Sequence, residues 1–168
     1  RSNALRARRS SAISIRPRAL FGEGDTVIFP RLIRRIRSGG LPILGDGENI
    51  VDLTYIDNVV DALLLCAESP AGTLGKKYNI SNGEPVKIWK LIERICDELK
   101  YPRPRRRISC RAAHAVAGIL ESVYTLIPFS PEPPLTRLSV SMMSNSSTLD
   151  ISAARNELGY QPNVSIEE

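Results

Sequence analysis

Apolar positions recur with the period of an α-helix in five stretches of this chain: residues 26–38, 58–68, 88–99, 111–127 and 150–158. The third stretch shows the pattern best, because Ile88, Ile92 and Ile95 share one face and the charged residues lie off it. Local chemistry marks the helix ends as well. Gly39 suits a left-handed stop, and Asn58 is a good N-cap residue. The sequence therefore predicts a helix in each stretch.

Short β-branched segments lie between these helices. Strands are predicted at residues 12–15, 41–44 and 77–80, and directly after the glycine-rich turn at 45–47. Arg16 and Pro17 are expected to end the first strand, because proline cannot continue a central ladder. The remaining segments are a helix end at 2–9, a rigid proline-rich linker at 129–134 and a polar, serine-rich connection at 139–148. This alternation predicts an α/β fold, with too few strands for a complete doubly wound sheet.

The net charge of +5 comes from arginine clusters. The arginines at 31–37 lie opposite apolar residues, as on the solvated face of an ordinary helix, and no aromatic stacking motif accompanies them, so no nucleic-acid partner is expected. Attraction to acidic lipid or phosphorylated ligands stays open. The three cysteines lack metal-ligand spacing and are expected to be reduced core thiols of a cytoplasmic protein.

No complete catalytic motif is present. Val27 and Ile50 stand where the third glycine of a G-x-G-x-x-G loop belongs, and no tyrosine is followed four residues later by lysine. His114, the single histidine, lies among alanines on an apolar helix, where a packed histidine is commoner than a general base. The four aspartates between residues 46 and 61 lack the spacing of a calcium loop. We therefore predict no catalytic residue and no metal site in this chain.

Four segments resemble, in the correct order, those of extended short-chain dehydrogenases, the NAD-dependent epimerase/dehydratase superfamily. Residues 15–25 resemble the family's R-P-x-x-x-(F/Y)-G-P-G-D segment, and residues 45–62 its G-x-G-x-N-x-x-D-x-T-Y-V-D-N-V-x-x-A segment. Residues 77–85 are similar to its Y-x-I-x-x-x-E-P turn, and residues 158–162 to its L-G-Y-x-P close. The likeness is closest to the 3β-hydroxysteroid dehydrogenase and sterol-4α-carboxylate 3-dehydrogenase branch.

The resemblance implies the C-terminal portion of a Rossmann-type oxidoreductase: the last strands of the parallel sheet plus a mostly helical substrate-binding lobe. Residues 1–40 and 50–70 would complete the sheet side, and residues 41–49 and 71–168 would form most of the lobe. An absent N-terminal part would hold the glycine-rich loop and the catalytic Tyr/Lys pair. That part would also bind most of the NAD or NADP, so the fragment alone would be inactive.

Six residues take binding roles by the resemblance. Pro17 corresponds to the backbone that lies against the nicotinamide carboxamide, and Arg18 and Ala19 line the junction between cofactor and substrate. The implied substrate contacts are Leu20, Val51 and Tyr55.

The substrate expectation depends on one position. Relatives that act on nucleotide-sugars usually carry arginine immediately before the aspartate of the central segment, where it pairs with a diphosphate. Here Val51 precedes Asp52, so the resemblance implies a secondary alcohol or ketone on a hydrophobic, sterol-like substrate. A nucleotide-sugar epimerase or dehydratase of the same superfamily and a non-catalytic binding module remain the alternatives. The helix at 111–127 suits a greasy substrate, peripheral attachment to a membrane surface, or packing on its own lobe, and a homodimer is left open.

Overall fold

The structure, a computed structural model, describes residues 12–127 and 133–166. Its strands are all short: β1 (Ser14–Pro17), β2 (Leu20–Phe21), β3 (Ile43–Leu44), β4 (Ile50–Val51), β5 (Thr54–Tyr55), β6 (Lys77–Ile80), β7 (Val86–Lys87) and β8 (Arg107–Ile108). Its helices are α1 (Ile28–Arg37), α2 (Ile56–Glu68), α3 (Ile88–Glu98), α4 (Cys110–Thr125), α5 (Arg137–Ser144) and α6 (Ser152–Leu158). The predicted helix end at 2–9 and most of the linker at 129–134 lie outside the described residues.

Contacts divide the chain into two compact units, each assembled from separate stretches of sequence. The described part of the first unit comprises residues 12–23, 52–84 and 149–166, and that of the second comprises the rest of the described chain. The resemblance divides the chain by function, with residues 1–40 and 50–70 on the sheet side and residues 41–49 and 71–168 mainly in the lobe. The functional role of each part stays a prediction.

The first unit combines parallel strand pairs with helices. β1 runs parallel to β6 with Ile15 opposite Tyr78, and β2 runs parallel to β5. Val59 of α2 and Leu158 of α6 join Tyr78 and Tyr160 in one buried core. Parallel strands need crossover connections, which the helices supply here. This architecture confirms the α/β prediction.

The first strand lies two residues later than predicted: β1 begins at Ser14 and ends at Pro17. Pro17 pairs in register with Ile80 and occupies the last position of the strand. A terminal position does not need the ladder donor that proline lacks. Pro17 is therefore the last residue of the strand.

Asn58 does not cap α2, so that prediction was wrong. The helix begins at Ile56, and Asn58 is fully buried in its first turn. Its Oδ1 accepts the N–H groups of Asn163 and Val164 at 2.9 and 3.1 Å, and its Nδ2 lies 2.9 Å from the Val164 carbonyl and from Asn82 Oδ1. The amide that local pattern assigned to a cap instead ties the C-terminal segment to the first unit.

The end of α6 confirms its prediction. Gly159 adopts a left-handed conformation with φ +70°, and the Tyr160 N–H reaches back to the Ala154 carbonyl at 3.2 Å. Tyr160 is fully buried, and its hydroxyl donates to the Ser81 carbonyl at 3.0 Å. Asp150 accepts the Ser152 N–H at 2.8 Å at the start of this helix.

The second unit has its own core. β3 runs parallel to β8, and β4 runs antiparallel to β7. The core draws one or more buried side chains from each packed helix, including Ile36 of α1, Trp89 and Ile92 of α3, Ala117 of α4 and Val140 of α5. The amphipathic patterns of α1 and α3 are confirmed by these buried faces.

Two local features of this unit differ from the prediction. The serine-rich connection contains α5, whose start is a capping box: Ser139 N–H donates to Thr136 Oγ1 at 3.1 Å, and Thr136 N–H donates to Ser139 Oγ at 3.0 Å. α1 begins at Ile28 rather than near residue 26. The Asp25 carboxylate accepts the N–H groups of the first turn, led by that of Phe29, and these bonds hold the pKa of Asp25 below its usual range.

Candidate functional site

The candidate site is the turn at residues 17–21, which follows β1 in the first unit. It lies at the carboxyl ends of the parallel strands β1 and β6, the end at which open α/β sheets bind ligands. Pro17 is exposed, and the next three residues are half-buried. The predicted binding residues on this turn are Pro17, Arg18, Ala19 and Leu20, and Tyr55 lies on the paired strand β5.

Thr54 fixes the backbone of this turn. Its side chain is fully buried, and its Oγ1 accepts the Arg18 N–H at 3.1 Å. The same hydroxyl lies within donating distance of two carbonyls, that of Arg18 at 2.5 Å and that of Ile80 at 3.2 Å. The Thr54 N–H also donates to the Ala19 carbonyl at 3.3 Å. One side chain therefore joins the turn to the end of β6.

Ala19 holds a backbone conformation that non-glycine residues seldom adopt, with φ +44°. Such strain costs about 1–3 kcal/mol and persists only where neighbouring bonds enforce it. Here the bonds from Thr54 to Arg18 and Ala19 enforce it. Strained backbone of this kind clusters at ligand sites.

An aromatic pair closes the other side of the turn. The rings of Phe21 and Tyr55 meet edge to face, with centroids 5.4 Å apart and an interplanar angle of 66°. Gly22 follows at φ +150°, and a Cβ there would stand 2.4 Å from Ile56 Cγ2. The chain therefore needs glycine to leave the turn.

Val51, the sixth predicted binding residue, belongs to the second unit. It is 6% exposed and lies in β4 opposite Val86. Two nearby side chains of that unit are buried without hydrogen-bond partners among the described residues: both amide atoms of Asn49 and the indole N–H of Trp89. The substrate contact assigned to Val51 stays a prediction.

Asp52 is almost fully buried in the first unit. Its Oδ2 accepts the Leu149 N–H at 2.5 Å, and its Oδ1 finds no partner in the described part of the chain. The carboxylate therefore holds the segment that leads into α6.

Tyr78 and Tyr160, the tyrosines whose pKa values are strongly raised, lie in the core of the first unit. Burial raises the pKa of both Tyr78 and Tyr160 to about 12, so both phenols stay protonated at neutral pH. Burial also raises the pKa of the thiols of Cys66 and Cys96. Cys96 is fully buried in a core, whereas Cys66 and Cys110 are half-buried, and the reduced state of the three stays a prediction. Within residues 12–127 and 133–166, no cluster of His, Cys, Asp and Glu could hold a metal ion.

Sequence reasoning missed the two side chains that shape this turn. Thr54 was read only as part of a motif, and Asn82 only as part of a polar turn. Asn82 Oδ1 accepts the Tyr55 N–H at 2.9 Å, so Asn82 fixes β5 as Thr54 fixes the turn. Neither side chain carries a local signal in the sequence, because the partners of both lie in distant segments of the chain.

Comparisons with known proteins agree on one family. Residues 2–110 match the family model described as the 3-beta hydroxysteroid dehydrogenase/isomerase family. The chain is 38% identical over 161 residues to a 2-alkyl-3-oxoalkanoate reductase of Stenotrophomonas maltophilia, covering 94% of this chain and 49% of that protein. It is 36% identical to the 3beta-hydroxysteroid-dehydrogenase/decarboxylase isoform 1 of Arabidopsis thaliana, covering 92% of this chain and 37% of that protein.

A solved structure shows the same fold. The UDP-glucuronic acid 4-epimerase from Bacillus cereus, crystallised with NAD, superposes with a TM-score of 0.60 at 20% identity, covering 91% of this chain and 40% of that one. The architecture is therefore that of the C-terminal part of Rossmann-type epimerases and dehydratases, as predicted. The chain spans about half, or less, of the length of the relatives it matches.

Proposed function

We propose a function for the protein that carries this chain, and we start from the fact that the chain belongs to the 3-beta hydroxysteroid dehydrogenase/isomerase family. The protein that carries it is an NAD(P)-dependent oxidoreductase acting on a secondary alcohol or ketone of a hydrophobic substrate. The observation that carries the proposal is the family match together with the strained, pinned turn at residues 17–21. Bound nicotinamide supplies hydride transfer to or from the carbinol carbon.

The turn fits a flat, amide-bearing ring. Pro17 presents no N–H and is exposed, and Ala19 adds only a methyl group. Thr54 holds both carbonyls that follow Pro17, so the backbone keeps its shape when a ligand arrives. Pro17 and Ala19 would hold the nicotinamide end of the cofactor, and Leu20 and Tyr55 would contact the substrate. Preorganised backbone of this kind lowers the ordering cost of binding.

The relatives' names narrow the substrate. A 2-alkyl-3-oxoalkanoate carries its ketone two bonds from a carboxylate, and a 3-hydroxysteroid that is both oxidised and decarboxylated also carries a carboxyl group. The shared chemistry is a 3-oxo or 3-hydroxy carboxylate on an apolar skeleton. A sterol is one such skeleton and an alkyl chain another.

Arg18 is the residue in this chain that we assign to the carboxylate. It lies in the turn, is half-buried, and has no carboxylate partner among the described residues. A guanidinium pairs with a carboxylate through two parallel hydrogen bonds. Arg18 would thus orient the substrate so that its oxygen-bearing carbon faces the cofactor.

The test is steady-state kinetics of the full-length protein with NADH or NADPH and a 2-alkyl-3-oxoalkanoate. We expect cofactor oxidation, and we expect Arg18→Gln to raise KM for the acid about tenfold or more but to leave KM for its methyl ester unchanged. Arg16→Gln is the matched control, because Arg16 is exposed on β1 two residues earlier. A KM for the acid in Arg18→Gln equal to that of the parent would remove the carboxylate assignment. Turnover of UDP-sugars in place of oxo acids would favour the epimerase alternative.

A further inference from the structure

Residues 160–166 follow α6 and form a segment without helix or strand, which we call the strap. Hydrogen bonds fix both of its ends to the loop between β6 and β7. The Tyr160 hydroxyl donates to the Ser81 carbonyl at 3.0 Å, and the Ile166 N–H donates to the Glu84 carboxylate at 3.2 Å. The strap therefore lies across one part of the first unit, to which all these residues belong.

Two buried asparagine side chains hold the middle of the strap. Asn58 Oδ1 accepts the N–H groups of Asn163 and Val164 at 2.9 and 3.1 Å. The Val164 carbonyl accepts hydrogen bonds from Nδ2 of Asn58 and Nδ2 of Asn82, each at 2.9 Å. Asn58 is fully buried, and Asn82 is 3% exposed. Both side chains are therefore anchored to the backbone of the strap.

Asn82 also connects the strap to Tyr55, the predicted substrate contact on β5. Its Oδ1 accepts the Tyr55 N–H and an N–H of Asn58 Nδ2, both at 2.9 Å. Because Oδ1 meets two donors and Nδ2 meets a carbonyl, one orientation of this amide satisfies all three partners. Tyr55 is the N-cap residue of α2, and the N–H groups at a helix start have no acceptor within the helix. The position of Tyr55 therefore depends on Asn82.

We propose that the strap, acting through Asn82, positions Tyr55 for the substrate. The proposal rests on the proposed function in one respect, the identity of the substrate that Tyr55 contacts. Asn82 is a positioning residue, because it bonds to the backbone of Tyr55. When the strap moves, Asn82 loses the carbonyl that orients its amide, and the bond to the Tyr55 N–H weakens. Thr54 fixes the turn at residues 17–19 separately, so the cofactor side should not change.

Substitutions at the exposed residue Asn163 test the proposal in the full-length protein. Asn163→Pro removes the N–H that donates to Asn58, whereas Asn163→Ala keeps that N–H and loses only the side-chain bond to Asp61. We expect Asn163→Pro to raise KM for a 2-alkyl-3-oxoalkanoate about threefold to tenfold and to leave the Kd for NADH unchanged. Asn163→Ala is the matched control and should have the parent's KM.

Hydrogen exchange of the Tyr55 amide is a second readout, and it needs no substrate. Exchange should become about fivefold faster or more in Asn163→Pro and in Asn82→Ala, but not in Asn163→Ala. The amides of β6, whose Tyr78 and Ile80 lie in the core, should exchange as in the parent. Because the strap acts through Asn82, Asn163→Pro should raise KM no further when residue 82 is already alanine.

The proposal is overturned if Asn163→Pro leaves either KM or the exchange of the Tyr55 amide as in the parent. It is also overturned if the effects of Asn163→Pro and Asn82→Ala on KM add in full. A lower urea midpoint for Asn163→Pro with the parent's KM would show that the strap only stabilises the fold. If the parent protein reduces no oxo acid, the proposed function fails, and exchange of the Tyr55 amide alone then confirms or overturns positioning by the strap.

Discussion

Replacing Thr54 with valine removes the hydroxyl that fixes the turn at residues 17–21 and changes little else in shape. The Arg18 N–H loses its acceptor, and the Arg18 and Ile80 carbonyls lose the single hydroxyl proton that lies within reach of both. Because the Thr54 side chain is fully buried, water does not replace these bonds without rearrangement. Leaving buried groups unsatisfied costs about 1–3 kcal/mol, so we expect Thr54→Val to lower the free energy of unfolding by about 2 kcal/mol.

The same substitution should weaken cofactor binding, because the hydroxyl's bonds to Arg18 are lost and only the backbone bond from residue 54 N–H to the Ala19 carbonyl still supports the positive φ of Ala19. Relaxing a strained residue releases about 1–3 kcal/mol, and restoring the bound shape must supply it again. This corresponds to an increase in the Kd for NADH of roughly fivefold to a hundredfold. Tryptophan-to-nicotinamide energy transfer or calorimetry with the full-length protein measures that Kd, and urea unfolding measures stability.

Two variants control this experiment. Thr54→Ser keeps the hydroxyl and should keep the parent's Kd. Thr73→Val removes another buried hydroxyl of the first unit, which donates to the Pro70 carbonyl at 2.7 Å, and should lower stability without changing the Kd. If Thr54→Val and Thr73→Val bind NADH equally well, the turn does not hold the cofactor and the reasoning fails.

Three further predictions concern the first unit. Asn58→Ala should lower the free energy of unfolding by about 2–4 kcal/mol, because the fully buried side-chain amide and its four hydrogen bonds are removed. Hydrogen exchange of the backbone amides of residues 163–164 should become faster. Unchanged exchange there would contradict the role of these four bonds. Gly22→Ala should lower the free energy of unfolding in urea more than Gly24→Ala does. A Cβ at position 22 would stand 2.4 Å from the Ile56 side chain, whereas a Cβ at position 24 meets open space. Equal losses of unfolding free energy in the two variants would refute this reasoning. Hydrogen bonds from Lys76 and Tyr78 lower the pKa of Glu157 in the folded protein. The ionised Glu157 therefore stabilises the fold above the ordinary glutamate pKa of 4.5, and this stabilisation is lost as the pH falls through the lowered pKa of the folded state. Glu157→Gln should lose this acid dependence in urea midpoints measured from neutral to acid pH; a variant with the parent's profile would exclude Glu157 as its source.

Periodic elements of this fold could be predicted from sequence because their determinants are local. The strand β6 has the predicted bounds, and α3 begins at the predicted Ile88. In both, the repeating apolar pattern that marks the element lies within the element itself, although β6 pairs with the distant strand β1. The left-handed stop at Gly159 is likewise set by one residue's freedom at positive φ.

Long-range polar bonds explain the failures. Asn58 has the composition of a cap, yet its partners lie more than a hundred residues away in the chain, at positions 163–164. The helix α5 was missed because serines are weak helix formers, and burial of Val140 together with the capping box overrides that preference. The sequence identifies Thr54 only as one position of the family segment at residues 45–62, because its own strand does not show that its hydroxyl binds the distant turn at Arg18.

We propose above all that the protein carrying this chain moves hydride between nicotinamide and the oxygen-bearing carbon of a hydrophobic 3-oxo or 3-hydroxy acid. Isotope transfer tests this proposal most directly: the full-length protein is given NADH or NADPH with deuterium at both C4 positions of the nicotinamide and a 2-alkyl-3-oxoalkanoate, and the product is analysed by mass spectrometry and NMR. The account predicts one deuterium on carbon 3 of the hydroxy acid. A hydroxy acid without deuterium at that carbon, or no reduction with either cofactor, would contradict it.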